Sequence, residues 1–136
     1  AREEGDTIVY GGETLPGGGF FLQPTAVKVR SKNSTLMHEE TFGPVCSFIG
    51  YQNEKEALSH INASPFGLAA SVWSENMSKA LRYAEDIDAG MVWVNMHTFL
   101  DPAVPFGGMK GSGSGREFGS AFIDDYTELK SVMVRY

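Results

Sequence analysis

Two carboxylates and an aromatic ring stand together just before an apolar run. Glu39, Glu40 and Phe42 lead through a Gly-Pro bend into the apolar residues 45–49. In open α/β sheets, bends at strand ends are common places for a cofactor, and a carboxylate there can accept hydrogen bonds from the hydroxyls of a ligand. On its own, the stretch is more typical of a solvated turn before a strand, because acidic residues are ordinary in loops.

Other residue types that could do chemistry carry weaker signals. Cys46, the only thiol, lies inside an apolar run with no histidine nearby in sequence, so we predict a small core residue rather than a nucleophile. His38, His60 and His97 lack metal-ligand spacing, and no metal site is predicted. The glycine and serine run at residues 111–115 fits neither the dinucleotide nor the P-loop spacing. We interpret it as a structural loop that allows close approach of the backbone.

Composition limits the classes of partner. The chain has 136 residues, which is about one domain. Its formal net charge is -6 and its eleven Lys and Arg residues are scattered along the sequence, so we expect no nucleic-acid partner. A single cysteine excludes an intrachain disulfide and favours a reducing compartment, with the cytoplasm as the expected location. Apolar runs fall short of the roughly 20 residues that span a bilayer, so no membrane partner is expected.

The first residues resemble the end of a helix. Residues 1–5 are typical of a last helical turn that finishes on a glycine cap, here Gly5, and the chain has no initiator methionine. Because a lone helix end has nothing to end, we expect the sequence to be the C-terminal piece of a longer protein.

Strand and helix patterns alternate through the middle of the chain. We predict buried parallel strands at residues 45–51, 68–73 and 91–95. Between them we predict two helices, one capped by Asn53 with Glu56 at the capping-box position and one that starts at about Ser74 or Asn76. The short crossovers of this β-α-β-α-β order require parallel, right-handed pairing. The predicted fold class is therefore α/β.

The two ends of the chain have other patterns. Residues 7–10 and 26–30, separated by glycine-rich turns, predict a hairpin-like β excursion at the start. Residues 97–119 contain many glycines and little periodicity, which is typical of long loops that carry function. Residues 126–136, which begin and end on tyrosine, are predicted to form a strand.

Five stretches in this order resemble the aldehyde dehydrogenase family. They are residues 19–24, 39–45, 65–70, 90–95 and 105–119. The match covers essentially the whole chain and implies a three-layer α/β architecture with a mainly parallel sheet. By this resemblance, residues 1–125 correspond to the C-terminal part of the catalytic domain and residues 126–136 to an oligomerisation strand. Within the family, residues 95–106 look most like the loop of phenylacetaldehyde dehydrogenases.

The resemblance implies a cofactor and its contacts. Enzymes of this family oxidise an aldehyde to a carboxylic acid with NAD or NADP. Glu40 matches the family glutamate that binds the hydroxyls of the nicotinamide ribose. Phe42 matches the aromatic residue that packs beside the same part of the cofactor. The implied role of both residues is to position the cofactor.

The resemblance also implies a substrate-binding loop. Phe106 matches an aromatic position that lines the substrate tunnel, and the neighbouring loop that shapes this tunnel contains Thr98, Phe99 and Leu100. Such rings would hold a phenyl-bearing aldehyde, with phenylacetaldehyde as the suggested substrate. For Phe99, a purely structural role in sealing the loop onto the core is an equal alternative.

The same resemblance places the catalytic machinery outside this chain. The family segments that carry the nucleophilic cysteine, the catalytic glutamate and the nucleotide-binding domain precede residue 1, and Cys46 does not match the nucleophile. We therefore expect no catalytic residue here, no cofactor bound to the chain alone and no dehydrogenase activity by itself. The family further implies a homo-oligomer that assembles through residues 126–136. A non-catalytic interaction domain of the same fold is the alternative.

Overall fold

The computed structural model describes residues 1–120 and 122–136, in which the chain divides into a first unit, Ala1–Ser64, and a second unit, Pro65–Tyr136. The strands are β1 (Thr7–Tyr10), β2 (Thr25–Lys28), β3 (Val45–Phe48), β4 (Phe66–Gly67), β5 (Ala69–Val72), β6 (Met91–Val94) and β7 (Met109–Lys110). The α-helices are α1 (Glu54–Asn62), α2 (Met77–Asp86) and α3 (Phe122–Tyr126), and short 3-10 helices span Arg2–Glu4 and Thr35–Met37.

The first unit contains the predicted hairpin. Strand β1 runs antiparallel to β2, and β3 joins β2 in parallel, with Val27 opposite Ser47. Val27 and Val29 are buried, whereas Lys28 between them is exposed. Because side chains alternate between the two faces of a strand, this pattern gives the unit its apolar face.

Helix α1 begins at the predicted cap. The Asn53 side chain accepts a hydrogen bond from the N–H of Glu56 at 3.0 Å. The Glu56 carboxylate accepts from the N–H of Gln52 at 2.6 Å, so the reciprocal bond of the capping box falls one residue before the cap. Ala57 is the buried residue of this helix. The prediction of the helix and its cap is confirmed.

In the second unit, β5 and β6 pair in parallel and α2 connects them. Asn76, one of the two residues at which this helix was predicted to start, caps α2 by accepting a hydrogen bond from the N–H of Lys79 at 3.0 Å. Ala80, Ile87 and Trp93 are buried. The core of this unit therefore lies where α2 packs against the parallel pair.

A shorter antiparallel pair, β4 and β7, brings the glycine-rich segment back to the start of the second unit. The N–H of Gly67 donates to the Ser112 hydroxyl at 3.0 Å, and the N–H of Gly111 donates to the Pro65 carbonyl at 2.9 Å. These bonds fix a segment that has little regular secondary structure of its own.

The α/β class is confirmed, and its described sheets are small and mixed. Pairs β2–β3 and β5–β6 are parallel, whereas β1–β2 and β4–β7 are antiparallel. Strand β3 pairs within the first unit, and β5 and β6 pair with each other in the second. One parallel sheet that contains all three predicted strands is therefore not among the described pairings.

Cys46 is exposed, so the prediction that it is a core residue is wrong. Along β3, Val45 and Ser47 are half-buried, whereas Cys46 and Phe48 are exposed. The apolar run predicted burial on both faces. The pleat turns alternate residues to opposite faces, and only one of these faces is covered by the described residues.

The last residues do not pair with another strand in the described chain. Tyr126 is the final residue of α3, which corrects its assignment to a strand. Residues 127–136 have neither helix nor strand, and Leu129, Met133 and Tyr136 are almost fully exposed. A β-strand is held by hydrogen bonds to a neighbouring strand. The strand at these residues therefore stays a prediction.

Within residues 1–120 and 122–136, no helix has the length and apolar character needed to cross a membrane. Nor do the His, Cys, Asp and Glu side chains of these residues form a group of three or more that could hold a metal ion.

Two acidic side chains fasten the start of the first unit. Glu4 accepts hydrogen bonds from the N–H and the hydroxyl of Thr35 at 3.1 and 2.6 Å. Asp6 accepts from the N–H of Arg30 at 2.9 Å and from the Ser34 hydroxyl at 2.6 Å. Because these bonds favour the charged carboxylates, Thr35 lowers the pKa of Glu4 from 4.5 to about 2, and Arg30 and Ser34 lower the pKa of Asp6.

We expect Glu4 to make the first unit sensitive to acid. Since its folded pKa lies below the ordinary 4.5, its stabilisation is complete above pH 4.5 and is lost as the pH falls towards about 2. Melting temperatures measured from about pH 6 down to about pH 3 should fall less steeply for Glu4→Gln than for the parent protein. The neighbouring Glu3→Gln, which removes the same charge, should follow the parent. Equal slopes for the parent and Glu4→Gln would contradict this role.

Candidate functional site

The loop before β3 places Glu40 and Phe42 on the surface. At its upstream end, the N–H of Glu39 donates to the carbonyl oxygen of Thr35 at 2.8 Å. At its downstream end, the Pro44 carbonyl accepts from the N–H of Thr25 in β2 at 2.7 Å. Between these two anchors Glu40 is exposed and Phe42 is 93% exposed. The backbone is held while both side chains stay accessible.

The two side chains offer complementary contacts to a ligand. A carboxylate has two oxygens, which suit two neighbouring hydroxyls. An exposed phenyl ring offers an apolar face for packing. Glu40 and Phe42 therefore have the chemistry needed for the predicted contact with a nicotinamide ribose, and their role in binding the cofactor stays a prediction.

Thr98, Phe99 and Leu100 follow β6 in an exposed loop. Trp93, on β6, donates its Nε1–H to the carbonyl oxygen of Phe99 at 2.8 Å. Thr98 has a φ of 58°, a left-handed conformation that is unusual for a β-branched residue. The side chains of Phe99 and Leu100 are 59% and 45% exposed. The shape of this loop therefore depends on its fastening to β6.

Phe106 lies in the glycine-rich segment further along the chain. Its N–H and carbonyl pair with the carbonyl and N–H of Glu117, each at 2.7 Å. Phe106 is half-buried and lines an open cleft of about 760 Å³, together with Leu68, residues 112–117 and Tyr126. An aromatic ring on the wall of a cleft is suited to apolar contact with a ligand.

Arg116 holds this cleft in shape. Its Nη1 donates to the carbonyls of Gly108 and Gly115 at 2.9 and 2.8 Å. Beside it, the Tyr126 hydroxyl donates to Glu117 at 2.7 Å, and this carboxylate raises the pKa of Tyr126. Through its bonds to Gly108 and Gly115, the Arg116 guanidinium links the two ends of residues 108–115. This segment contains few side chains large enough to pack.

The structure divides the predicted site residues between the two units. The predicted cofactor residues, Glu40 and Phe42, share one loop of the first unit. The four predicted substrate residues all belong to the second unit: Thr98, Phe99, Leu100 and Phe106. The first three share a loop and Phe106 lines the cleft, whose described lining does not include those three residues.

Sequence reasoning missed the side chains that support these loops. Trp93, His97 and Ser71 support the loop after β6, and Arg116 supports the glycine-rich segment. The sequence predicts Trp93 only as part of a strand and His97 as an ordinary histidine. One available signal was that a buried indole N–H needs an acceptor, so a tryptophan at a strand end predicts a fastened loop nearby.

The first unit also has three basic side chains, at alternate positions along residues 28–32, that line one groove. Lys28, Arg30 and Lys32 line a groove of about 630 Å³ with Glu56 and His60. The His60 Nε2 lies 3.5 Å from the Glu56 carboxylate, and its buried Nδ1 has no hydrogen-bond partner among the described residues. The absence of a nucleic-acid partner stays a prediction.

Comparisons with known proteins agree with the resemblance. A model described as "Aldehyde dehydrogenase family" matches residues 1–132. A phenylacetaldehyde dehydrogenase from Pseudomonas fluorescens is 41% identical over 136 residues, which cover 98% of this chain and 27% of that protein. A betaine aldehyde dehydrogenase from Cereibacter sphaeroides is also 41% identical, over 134 residues that cover 98% of this chain and 28% of that protein.

Solved structures match as closely. An aldehyde dehydrogenase from Bacillus cereus in complex with NAD+ superposes with a TM-score of 0.90 at 40% identity, and the match covers 98% of this chain and 27% of that one. The Mycobacterium tuberculosis aldehyde dehydrogenase complexed with NAD+ gives a TM-score of 0.88 at 40% identity, with 98% and 28% covered. The chain thus spans little more than a quarter of the length of its relatives.

Proposed function

The chain belongs to the aldehyde dehydrogenase family, and we propose that it forms the C-terminal part of an NAD(P)-dependent enzyme that oxidises an aldehyde to its carboxylic acid. Its span of 27% of a phenylacetaldehyde dehydrogenase supports a role within a larger protein. So do large apolar side chains that are fully exposed in the described chain, such as Phe20 and Leu129. Exposed apolar surface of this kind is typical of an interface with further polypeptide.

We assign residues 1–126, up to the end of α3, to the catalytic domain of this enzyme and residues 127–136 to its oligomerisation strand. For the intact enzyme we propose a three-layer architecture with a mainly parallel sheet. The parallel pairing of β2 with β3 and of β5 with β6 supports this arrangement.

The exposed pair Glu40 and Phe42, held in a loop that is fastened at both ends, is the observation that carries the proposal. The Glu40 carboxylate would accept hydrogen bonds from the ribose hydroxyls, and the Phe42 ring would pack beside the same part of the cofactor. Bound NAD or NADP supplies the acceptor for the hydride. Relatives from Bacillus cereus and Mycobacterium tuberculosis solved with NAD+ support NAD as the cofactor. Holding the ribose would orient the nicotinamide that is attached to it. The rate of hydride transfer depends on this orientation.

The substrate is an aldehyde, and we propose phenylacetaldehyde. Phe106 supplies an aromatic wall, and Thr98, Phe99 and Leu100 form the loop that shapes the tunnel entrance. Aromatic side chains suit a phenyl group through apolar burial and edge contacts. The phenylacetaldehyde dehydrogenase from Pseudomonas fluorescens supports this choice.

The catalytic thiolate and base are supplied by residues outside these 136. Cys46 is exposed on β3, and in this proposal it does not act as the nucleophile. A single free thiol suits a reducing compartment, so we place the enzyme in the cytoplasm.

An activity assay tests this division of labour. With phenylacetaldehyde and NAD, the intact enzyme should form NADH, whereas the purified 136-residue chain should form none, because it lacks a thiolate poised to attack the carbonyl. The Cys46→Ala chain is the matched control. Turnover by the chain above that of Cys46→Ala would contradict the assignment, and an intact enzyme without aldehyde oxidation would overturn the proposed function.

We propose that the enzyme is a homo-oligomer joined through residues 127–136, which follow α3. In the single chain, Val132, Met133 and Val134 are 73%, 97% and 68% exposed. Their backbone groups are free of strand pairing in the described chain. An exposed apolar segment without strand pairing can add to the sheet edge of a neighbour.

Deleting residues 130–136 from the intact enzyme should reduce its oligomeric state, because the backbone hydrogen bonds and the apolar side chains at the junction are lost together. Light scattering at micromolar concentration would measure the mass. The substitution Lys130→Gln, which leaves the segment in place, should preserve the oligomer. An unchanged mass after the deletion would show that other surfaces join the subunits.

A further inference from the structure

The loop that contains Phe99 is fastened to the parallel pair β5–β6 at two points. At the first, Trp93 is only 8% exposed and its Nε1–H reaches the carbonyl oxygen of Phe99 at 2.8 Å. The indole is therefore anchored in the core of the second unit while its polar edge holds the loop. A loop carbonyl fastened to a buried ring cannot shift without breaking this bond or moving the ring.

The second fastening point involves His97. Its Nδ1 shares a hydrogen bond with the Ser71 hydroxyl of β5, with 2.5 Å between the two atoms. The His97 ring also meets Trp93 edge to face, with ring centroids 5.3 Å apart and an interplanar angle of 75°. The two points are thus joined to each other through a single aromatic contact.

The backbone of this loop would not keep its shape unaided. Asn95 and Thr98 have φ angles of 54° and 58°. Asn tolerates this left-handed region, but a β-branched residue such as Thr98 adopts it at a cost. The Asn95 side chain offsets part of the cost by exchanging two hydrogen bonds with the backbone of Ser74, at 2.8 and 2.9 Å. The hydrogen bonds of Trp93 to Phe99 and of His97 to Ser71 also stabilise this conformation of the loop.

We propose that Trp93 is a positioning residue for the substrate: its indole N–H fixes the Phe99 carbonyl and so sets where the Phe99 ring stands against a phenyl-bearing aldehyde. This inference rests on the proposed function, since it gives the loop a specificity role in aldehyde binding. The same inference distinguishes a substrate-binding role of Phe99 from a purely structural role in sealing the loop onto the core. A ring that is held in place binds a phenyl group without first being ordered.

The test is the Trp93→Phe variant of the intact enzyme. It replaces the indole by a phenyl ring, so a buried ring beside His97 is kept and the N–H donor to Phe99 is lost. Steady-state kinetics with phenylacetaldehyde should show KM raised about fivefold, the size expected for one neutral hydrogen bond. Because the loop contributes binding rather than chemistry, kcat should stay within about twofold. KM for acetaldehyde, which has no phenyl group to meet Phe99, should not change.

A matched control and a second variant complete the test. Trp73→Phe makes the same substitution at a tryptophan that is 67% exposed and should leave all these constants unchanged. Ser71→Ala, which removes the second fastening point, should raise KM for phenylacetaldehyde in the same direction, and it decides the question if Trp93→Phe does not fold. An unchanged KM, or an equal rise for both aldehydes, would overturn the inference while leaving the proposed function standing. A parent enzyme that oxidises neither aldehyde would overturn both.

Discussion

The Gly90→Ala variant should fold poorly, with a melting temperature lower by roughly 10 °C than that of the parent protein. A methyl group on Gly90 would lie 1.6 Å from the carbonyl oxygen of Gly107 and 2.8 Å from its carbonyl carbon. Both contacts are with backbone, which cannot rotate away as a flexible side chain can. Overpacking of this kind costs about 3 kcal/mol or more when the neighbouring backbone must move.

The position of Gly90 explains why the substitution would also disturb neighbouring segments. Its N–H donates to the carbonyl of Gly67 at 3.0 Å, directly before β6 begins. Displacing Gly107 would disturb the segment that contains Phe106, so the variant should also bind aldehyde more weakly.

Gly50→Ala is the matched control for this prediction. Gly50 has no heavy atom within 4 Å of the added carbon, and its φ is outside the left-handed region. Alanine there should leave the melting temperature unchanged or slightly higher, because it restricts the unfolded chain. If both variants melt like the parent, the close approach of Gly90 to Gly107 is not a constraint on folding.

Local sequence signals predicted the helices well because the relevant contacts span few residues. Asn53 and Asn76 each cap a helix by accepting a hydrogen bond from the N–H three residues ahead. The positions of β1 and β6 followed from apolar runs bounded by glycine. These features depend on neighbours in the chain, and the sequence displays such neighbours directly.

Contacts between distant residues could not be predicted in the same way. Ser71 and His97 are 26 residues apart, and Lys28 and His60 meet in one groove although nothing in their spacing indicates it. Cys46 shows a related limit, because an apolar run indicates a strand without indicating which of its faces is covered. For residues 127–136, a strand needs a partner that a single chain does not supply.

For the candidate site, the resemblance identified side chains and the structure identified what holds them. Glu40 and Phe42 were singled out by their position before an apolar run, and the family resemblance supplied their roles. Their exposure and the fastening of their loop by Pro44 follow only from the structure. Trp93 is the clearest case of the reverse, since the family stretch at residues 90–95 gave it no role in the site, whereas its hydrogen bond to the loop did.

The largest expected effect on function belongs to Glu40→Gln in the intact enzyme. The substitution keeps the size of the side chain but replaces the two oxygens of the charged carboxylate by one neutral carbonyl oxygen and an NH2 group, which donates hydrogen bonds. Losing a charge-assisted hydrogen bond to a ribose hydroxyl is worth about 1.5–3 kcal/mol, or roughly a 10- to 150-fold loss. Part of this loss should appear as weaker cofactor binding. The rest should appear as slower hydride transfer, because the nicotinamide is less well placed.

Glu39→Gln provides a control that changes the same charge one residue away. Both side chains are exposed and precede the same Gly-Pro bend, so general electrostatic effects on the cofactor should be similar in the two variants. Melting temperatures of the two variants should match that of the parent, because neither substitution removes a buried contact.

The most direct measurement is a single-turnover experiment on the intact enzyme, with NAD affinity titrated in parallel for the parent, Glu39→Gln and Glu40→Gln. We expect Glu40→Gln to lower the rate of the NADH burst by at least about tenfold and to weaken NAD binding, with Glu39→Gln close to the parent. A Glu40→Gln enzyme whose burst rate and NAD affinity both equal those of the parent would show that this carboxylate does not hold the cofactor, and the proposed role of the loop would be wrong.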